Sequence, residues 1–372
     1  MTKAFSAALL LLLVPFIFSQ QRPANAPPAP PAPTIEEYEP RAMLVVPKHE
    51  VPRAKYPFID IHTHQRDSSP AALDKLIADM DRMNMKIMLS SPVAGSYGNR
   101  SGRGESTQKY IDGIRKYSNA ARFASMTNVN FSDLEGAAKQ LEEDIKYGAM
   151  GVKVWKNLGI NEKDKDGKRI PADDPRLKPV WDVAAKYKVP VMIHTADPKP
   201  LFDPMDKFNE RWLELKIQSG RANHGGVSWD QLIGEQHNLV RTNPKTTFIL
   251  AHMGWMAHDL GTLGKLMDEM PNMNVEFAAI LGELGRQPRA VKRFFTKYQD
   301  RVLFGKDRYD PEEYPFYFRM LETDDEWVDN IRKYHGLWHL YALDLPDAVL
   351  KKIYYKNALR MFPSLSTDGF PD

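Results

Sequence analysis

Phe58-Ile59-Asp60-Ile61-His62-Thr63-His64 is an apolar run that ends in two histidines separated by one residue. Read as a buried strand, it sends residues i and i+2 to the same face. Both imidazoles then project together from a strand end, close enough to share one metal ion. Three later segments have the same form: Val189-Pro190-Val191-Met192-Ile193-His194, Thr247-Phe248-Ile249-Leu250-Ala251-His252 and Arg301-Val302-Leu303-Phe304-Gly305-Lys306-Asp307. A single His-x-His is weak evidence. Four strand ends carrying metal-capable or proton-transferring side chains point to one site.

Outward from these segments, short apolar runs alternate with amphipathic ones. Strands are predicted near Phe58, Lys86, Arg122, Gly151, Val189, Thr247, Asn274 and Arg301. Helical spacing of apolar residues predicts helices over 71–83, 109–121, 134–147, 178–187, 204–219, 260–270 and 288–298, with closing helices through 327–362. Strict βα alternation argues a parallel sheet, and eight units of this length argue a distorted (β/α)8 TIM barrel of the α/β class. The rival is an open doubly wound sheet, which gathers its chemistry at one switch point. Here the candidate ligands end the first, fifth, sixth and eighth strands. They converge only if the sheet closes, and then at the C-terminal ends of the strands.

The composition sets limits on function. Of 372 residues, 42% are hydrophobic and 27% charged, as in soluble globular proteins, and the formal net charge is only +3. No dense Lys/Arg stripe interleaved with aromatics appears, so no nucleic-acid partner is expected. There is no cysteine, which excludes disulfides, thiolate metal sites and cysteine nucleophiles. Any metal is then held by imidazole and carboxylate, which suits one divalent ion, Zn2+ first, with Mn2+, Fe2+ or Ni2+ as alternatives.

Lys3 followed by the apolar stretch 7–18 reads as a secretory signal over residues 1–20, too short for a comfortable membrane span. The expected location is therefore periplasmic or secreted, with no stable membrane insertion after cleavage. Cleavage near Ser19 or after Ala26 fits about equally. Residues 21–50 read as a proline-rich linker or arm, since ten of the 28 prolines fall between Gln21 and Pro57. The barrel is expected over 51–365. Residues 198–241 exceed an ordinary βα loop, so they are expected to be an insertion acting as a lid or an oligomer contact, with a turn at Asn223-His224-Gly225-Gly226. A homo-oligomer is left open.

His62, His64, His194 and Asp307 can supply three or more ligands and leave a position for water or substrate. His252 ends the neighbouring strand and fits either a fifth ligand or an uncoordinated acid/base. A divalent ion there would acidify a water and polarise a carbonyl oxygen. Arg66, Lys156, Arg286 and Arg308 lie just beyond strand ends and are candidates for holding a substrate carboxylate. Trp255 is a candidate apolar wall. His224 and His237 fit neither a strand end nor ligand spacing.

The four strand segments closely resemble the motifs of the metal-dependent amidohydrolase superfamily. The likeness is to its amidohydrolase-related branch, which contains aminocarboxymuconate-semialdehyde decarboxylase-like enzymes. Lys356-Asn357-Ala358-Leu359-Arg360-Met361-Phe362 is similar to that branch's closing Gly-Asn-Ala-x-Arg-Leu-Phe, with Lys356 in place of glycine. The resemblance implies one divalent metal on His62, His64, His194 and Asp307, with His252 beside it as the catalytic acid/base. The branch usually carries Ser or Thr where Lys306 stands. Alternation turns Lys306 toward the helices, which leaves Asp307 intact. Other branches bridge two metals with a carboxylated lysine at the fourth strand, a part open to Lys153 or Lys156. The expected site is mononuclear.

The expected function is metal-dependent hydrolysis of a small-molecule ester, lactone or amide, with His252 moving the proton and Asp307 sharing that work. The runner-up is a non-oxidative decarboxylase of an aromatic or unsaturated acid. The rival of another class is an inactive barrel acting as a binding protein.

Overall fold

The computed structural model describes residues 30–92, 106–222 and 226–371. The expected signal segment, the first residues of the arm and His224 lie outside the described residues. The chain divides into two units at Val45/Val46. In the first, residues 30–45 are exposed, and Thr34 and Glu37 exchange hydrogen bonds around a turn at 35–37.

Among its described residues, the second unit is built on eight parallel strands. They are β1 Phe58–Thr63, β2 Met85–Ser90, β3 Phe123–Ser125, β4 Val152–Val154, β5 Val191–Ile193, β6 Phe248–Leu250, β7 Met273–Glu276 and β8 Val302–Leu303. Ladders join β1 to β3 in one sheet and β4 to β8 in another, each in sequence order. Parallel bridges Thr127↔Val152 and Thr63↔Asp307 connect the two sheets at both seams. At those seams Lys153 N–H donates to Thr127 O and Asp307 N–H to His62 O, each at 2.7 Å. The ring is closed: this is a (β/α)8 barrel and not an open sheet.

Helices wrap the ring because each presents one apolar stripe to it. In Pro70–Met83, Leu73, Leu76, Met80 and Met83 are buried, proline opens the first turn, and Asn84 (φ 70°) ends the last in the left-handed region. Ser106 and Ser228 cap Thr107–Arg115 and Trp229–Thr242 by accepting backbone N–H groups.

Three expectations are corrected. The helix expected over 204–219 forms only at Trp212–Ile217. Upstream of it, the side chains of Asp206 and Asn209 accept the N–H groups of Phe208 and Arg211, an alternative that competes with helix. The crossover between β5 and β6 is instead Trp229–Thr242, so the extra chain is shorter than 198–241. The closing helices begin earlier than expected, at Tyr314–Glu322, and residues 327–346 hold only the turn Lys333–His335 and an antiparallel bridge between Val328 and Leu340. Among the described residues no helix is long and apolar enough to cross a membrane.

Candidate metal centre

The C-terminal ends of the strands form a mouth where the backbone is strained. Among the described non-glycine residues nine have positive φ, and six of these lie just after β5 to β8: Ala196, His252, Met253, Trp255, Ala279 and Asp307. Such conformations cost on the order of 1–3 kcal/mol each and persist where the surrounding structure fixes them. Residues 252–255 make a full left-handed turn with φ between 52° and 60°. It folds Trp255 back so that its ring stacks on His252, centroids 4.5 Å apart.

The two histidines of β1 meet Asp307 from β8. Asp307 Oδ1 stands 2.9 Å from His64 Nε2 and 3.5 Å from His62 Nε2. Both imidazoles are held through the opposite nitrogen: His62 Nδ1 donates to Glu276 Oε1 at 3.0 Å, and His64 Nδ1 to Ser91 O at 2.6 Å. Nε2 is therefore the nitrogen each ring has left for an ion, the tautomer typical of metal-ligating histidines. Ligands ~2.1 Å from a tetrahedral ion lie ~3.4 Å apart, close to these separations. The donor set fits a divalent ion.

Glu276, at the end of β7, escaped the sequence reading. Its Oε1 also accepts the His252 N–H at 2.7 Å, and its Oε2 accepts Ala278 N–H at 2.6 Å. Burial alone would raise its pKa, but the His62 imidazole and these donors bring it down to about 2. His62 is held near 3, chiefly by burial and then by Lys153. Asp307 lies well below the usual carboxylate range: burial opposes this, and His64 and His62 outweigh it. The pair of carboxylates stays ionised and the imidazole neutral, as cation binding needs.

Lys153, fully buried on β4, donates from Nζ to His62 Nε2 at 2.8 Å. Burial lowers its pKa to about 8, against the pull of Glu276 and Asp307. Lys156 stands outside the cluster, paired with Asp197. His194 places its ring 4.5 Å from that of His252, but its Nε2 donates to Ala196 O at 3.1 Å. His252 donates from Nδ1 to Ala278 O at 2.7 Å, which leaves Nε2 as the ring nitrogen available for proton transfer. Among the described residues, the groups with ligand atoms close enough for one ion are His62, His64 and Asp307; His62, His252 and Glu276; and, apart from these, His49, Asp324 and Asp325.

The remaining candidates scatter. Arg286 pairs with Glu210 at 2.9 Å and lies 4.2 Å over the Trp338 ring. Arg308 is exposed and Arg66 half-buried. Lys306 is buried with its Nζ on Glu313 and Arg308 O, turned to the helix side as expected. Beside Trp255, a cavity of about 220 Å3 is lined by Lys199, Glu210, His258, Ile280 and Glu283. A larger one of about 620 Å3 lies at the opposite end, near Phe123, Met150, Val189 and Phe362, on the face where barrels keep stability rather than chemistry.

The family model described as amidohydrolase matches residues 59–364. The chain belongs to the amidohydrolase family. Members of this family are metal-dependent enzymes, in keeping with the convergence of His62, His64 and Asp307. Among solved structures, the chain is similar to a 2,6-dihydroxybenzoate decarboxylase from Rhizobium at 16% identity and TM-score 0.51, covering 83% of this chain and 99% of that one. It is likewise similar to a TIM-barrel protein from Bordetella bronchiseptica at 15% identity and TM-score 0.55, covering 82% and 98%. At these identities the likeness is one of fold, and it agrees with the closed ring of the amidohydrolase barrel. No curated protein matches the chain.

Proposed function

We propose that the chain is an exported hydrolase of a small-molecule ester, lactone or amide, with one divalent ion, zinc first, held by His62, His64 and Asp307. His194 is the fourth donor in this reading, which requires its ring to turn away from the Ala196 carbonyl. The ion, when bound, supplies polarisation of the carbonyl and acidification of a water. His252 is the base: its Nδ1–H is committed to Ala278 O, so Nε2 receives the proton of the attacking water and returns it to the leaving group. Trp255, stacked on that ring, fixes its orientation and screens it from bulk water. Glu276 holds His62 and the His252 backbone in register.

The anchoring of His252 through Nδ1 to Ala278 O carries this reading, because it leaves Nε2 as the nitrogen that can exchange a proton with the water. Two candidate carboxylate holders, Lys156 and Arg286, are already paired with Asp197 and Glu210, which favours a neutral substrate group. The competing reading is a decarboxylase of an aromatic or unsaturated acid, in which His252 must begin protonated; the activity named for the Rhizobium protein gives it its interest. A panel of lactones, esters, amides and aromatic carboxylates, assayed for acid and for carbon dioxide, separates the two. Release of carbon dioxide without hydrolysis of any ester, lactone or amide overturns the hydrolase. His252→Asn should abolish turnover while bound metal stays near the wild-type level; loss of metal makes His252 a ligand. Lys3 and the apolar stretch 7–18 support export. A mature N-terminus near Ser19 or Ala26 in the extracytoplasmic fraction is expected, and an intact Met1 there counts against cleavage.

A further inference from the structure

We propose that Asp60 is a positioning residue for the metal centre, holding the β1 and β8 ligands in register across the seam where the barrel closes. The role rests on the reading of His62 and Asp307 as ligands. Simple alternation does not bring His62 into the barrel. Phe58 packs against rings of the outer helical layer, 5.3 Å from Phe318 and 6.0 Å from Tyr354, so that face of β1 looks outward. Asp60 shares it, and its Oδ2 accepts the Tyr314 hydroxyl at 2.7 Å. Two residues on, His62 should face the same way. Its ring instead meets Glu276 and Lys153 inside. The β1–β2 register shifts between Asp60 and Thr63, and that irregularity turns the strand over.

A bulged residue loses its ladder partner, and an unpaired buried N–H is costly. Asp60 supplies the missing acceptor: its Oδ1 takes the His62 N–H at 2.9 Å. The same oxygen takes the N–H of Lys306 at 3.2 Å, one residue before Asp307. A single buried carboxylate oxygen thus ties together the backbone beneath two ligands that are 245 positions apart in the chain, while Tyr314 fixes its other oxygen. On this arrangement, loosening Asp60 frees the His62–Asp307 separation rather than removing a donor.

Cobalt(II) titration of the metal-stripped full-length protein tests this, read by the visible d–d band and by competition with a chelator. Asp60→Ala should lower cobalt affinity about 10–100-fold and shift the band. Asp60→Asn retains an acceptor oxygen in the same place and should restore both toward wild type. Tyr314→Phe should give a smaller loss in the same direction. A folded Asp60→Ala protein with wild-type affinity and spectrum overturns the role. If that variant does not fold, an unchanged affinity and band in Tyr314→Phe overturns it. Wild-type protein that takes up no cobalt overturns the metal reading, and the positioning role with it.

Discussion

His62 Nδ1 stands 3.0 Å from Glu276 Oε1, and neither side chain reaches solvent. This contact fixes the tautomer of a candidate ligand from behind and makes it a better donor. Glu276→Gln keeps the size but gives up the charge, and its amide presents a donor to one of the backbone N–H groups of His252 and Ala278. Metal affinity is expected to fall about 10–100-fold. Chelator competition on the folded variant measures it, and wild-type affinity would show that Glu276 serves packing alone.

Glu276 was as readable as the candidate ligands. Asn274-Val275-Glu276 is another buried strand closing on a polar side chain, and the rule that selected His194 and Asp307 selects it too. The strand ends were legible because a parallel barrel buries both faces of each strand, so a charged or imidazole terminus stands out against continuous apolar sequence. What the sequence concealed depends on backbone irregularity. The register shift after Asp60 leaves no trace in the order of residue types, and the left-handed turn at 252–255 carries only one glycine. The short helix Trp212–Ile217 was overestimated for a different reason: apolar spacing cannot foresee Asp206 and Asn209 capturing the backbone upstream.

Gly305 lies directly beneath the site. A Cβ at this position would come 2.9 Å from His62 Cβ and 2.6 Å from Glu276 Oε2. Both neighbours are buried and engaged with each other, so neither yields freely. Gly305→Ala is expected to weaken metal binding and cost about 1–3 kcal/mol of stability from overpacking. Metal content after dialysis against a fixed buffered zinc level, together with urea unfolding of the stripped protein, reads both effects. Full occupancy would mean that His62 has room to move without losing its aim.

Phe304, next to Gly305, points the other way. Its ring lies 4.9 Å from Phe58, 5.6 Å from Phe277 and 5.7 Å from Tyr354, so it welds β1, β7 and β8 to the closing helices. It is 1% exposed. Phe304→Ala should cost about 3–5 kcal/mol, and Phe304→Leu distinctly less because most of the volume remains. Equilibrium urea unfolding checks the order, and equal losses would place the effect in the ring contacts rather than in the cavity.

His237, on the helix Trp229–Thr242, gives the fold an acid-sensitive point. Its Nε2 is buried without a hydrogen-bond partner, and burial, then Arg241, pushes its pKa down to about 4. In the unfolded chain a histidine titrates near ~6.5. Between these values the unfolded chain binds a proton that the folded protein refuses, so stability falls as the pH drops from ~6.5 to ~4 and is unaffected above that window. The loss amounts to at most ~3 kcal/mol at the acid end. Burial moves His335 in the same direction, with Arg211 and Arg221 adding to it, so some acid sensitivity survives in any single variant. His237→Gln should therefore flatten, without abolishing, the decline of the urea midpoint between pH 6.5 and 4, and leave the midpoint at pH 8 nearly unchanged. A slope equal to that of the wild type would mean that the helix opens locally and lets His237 take up its proton without unfolding the barrel.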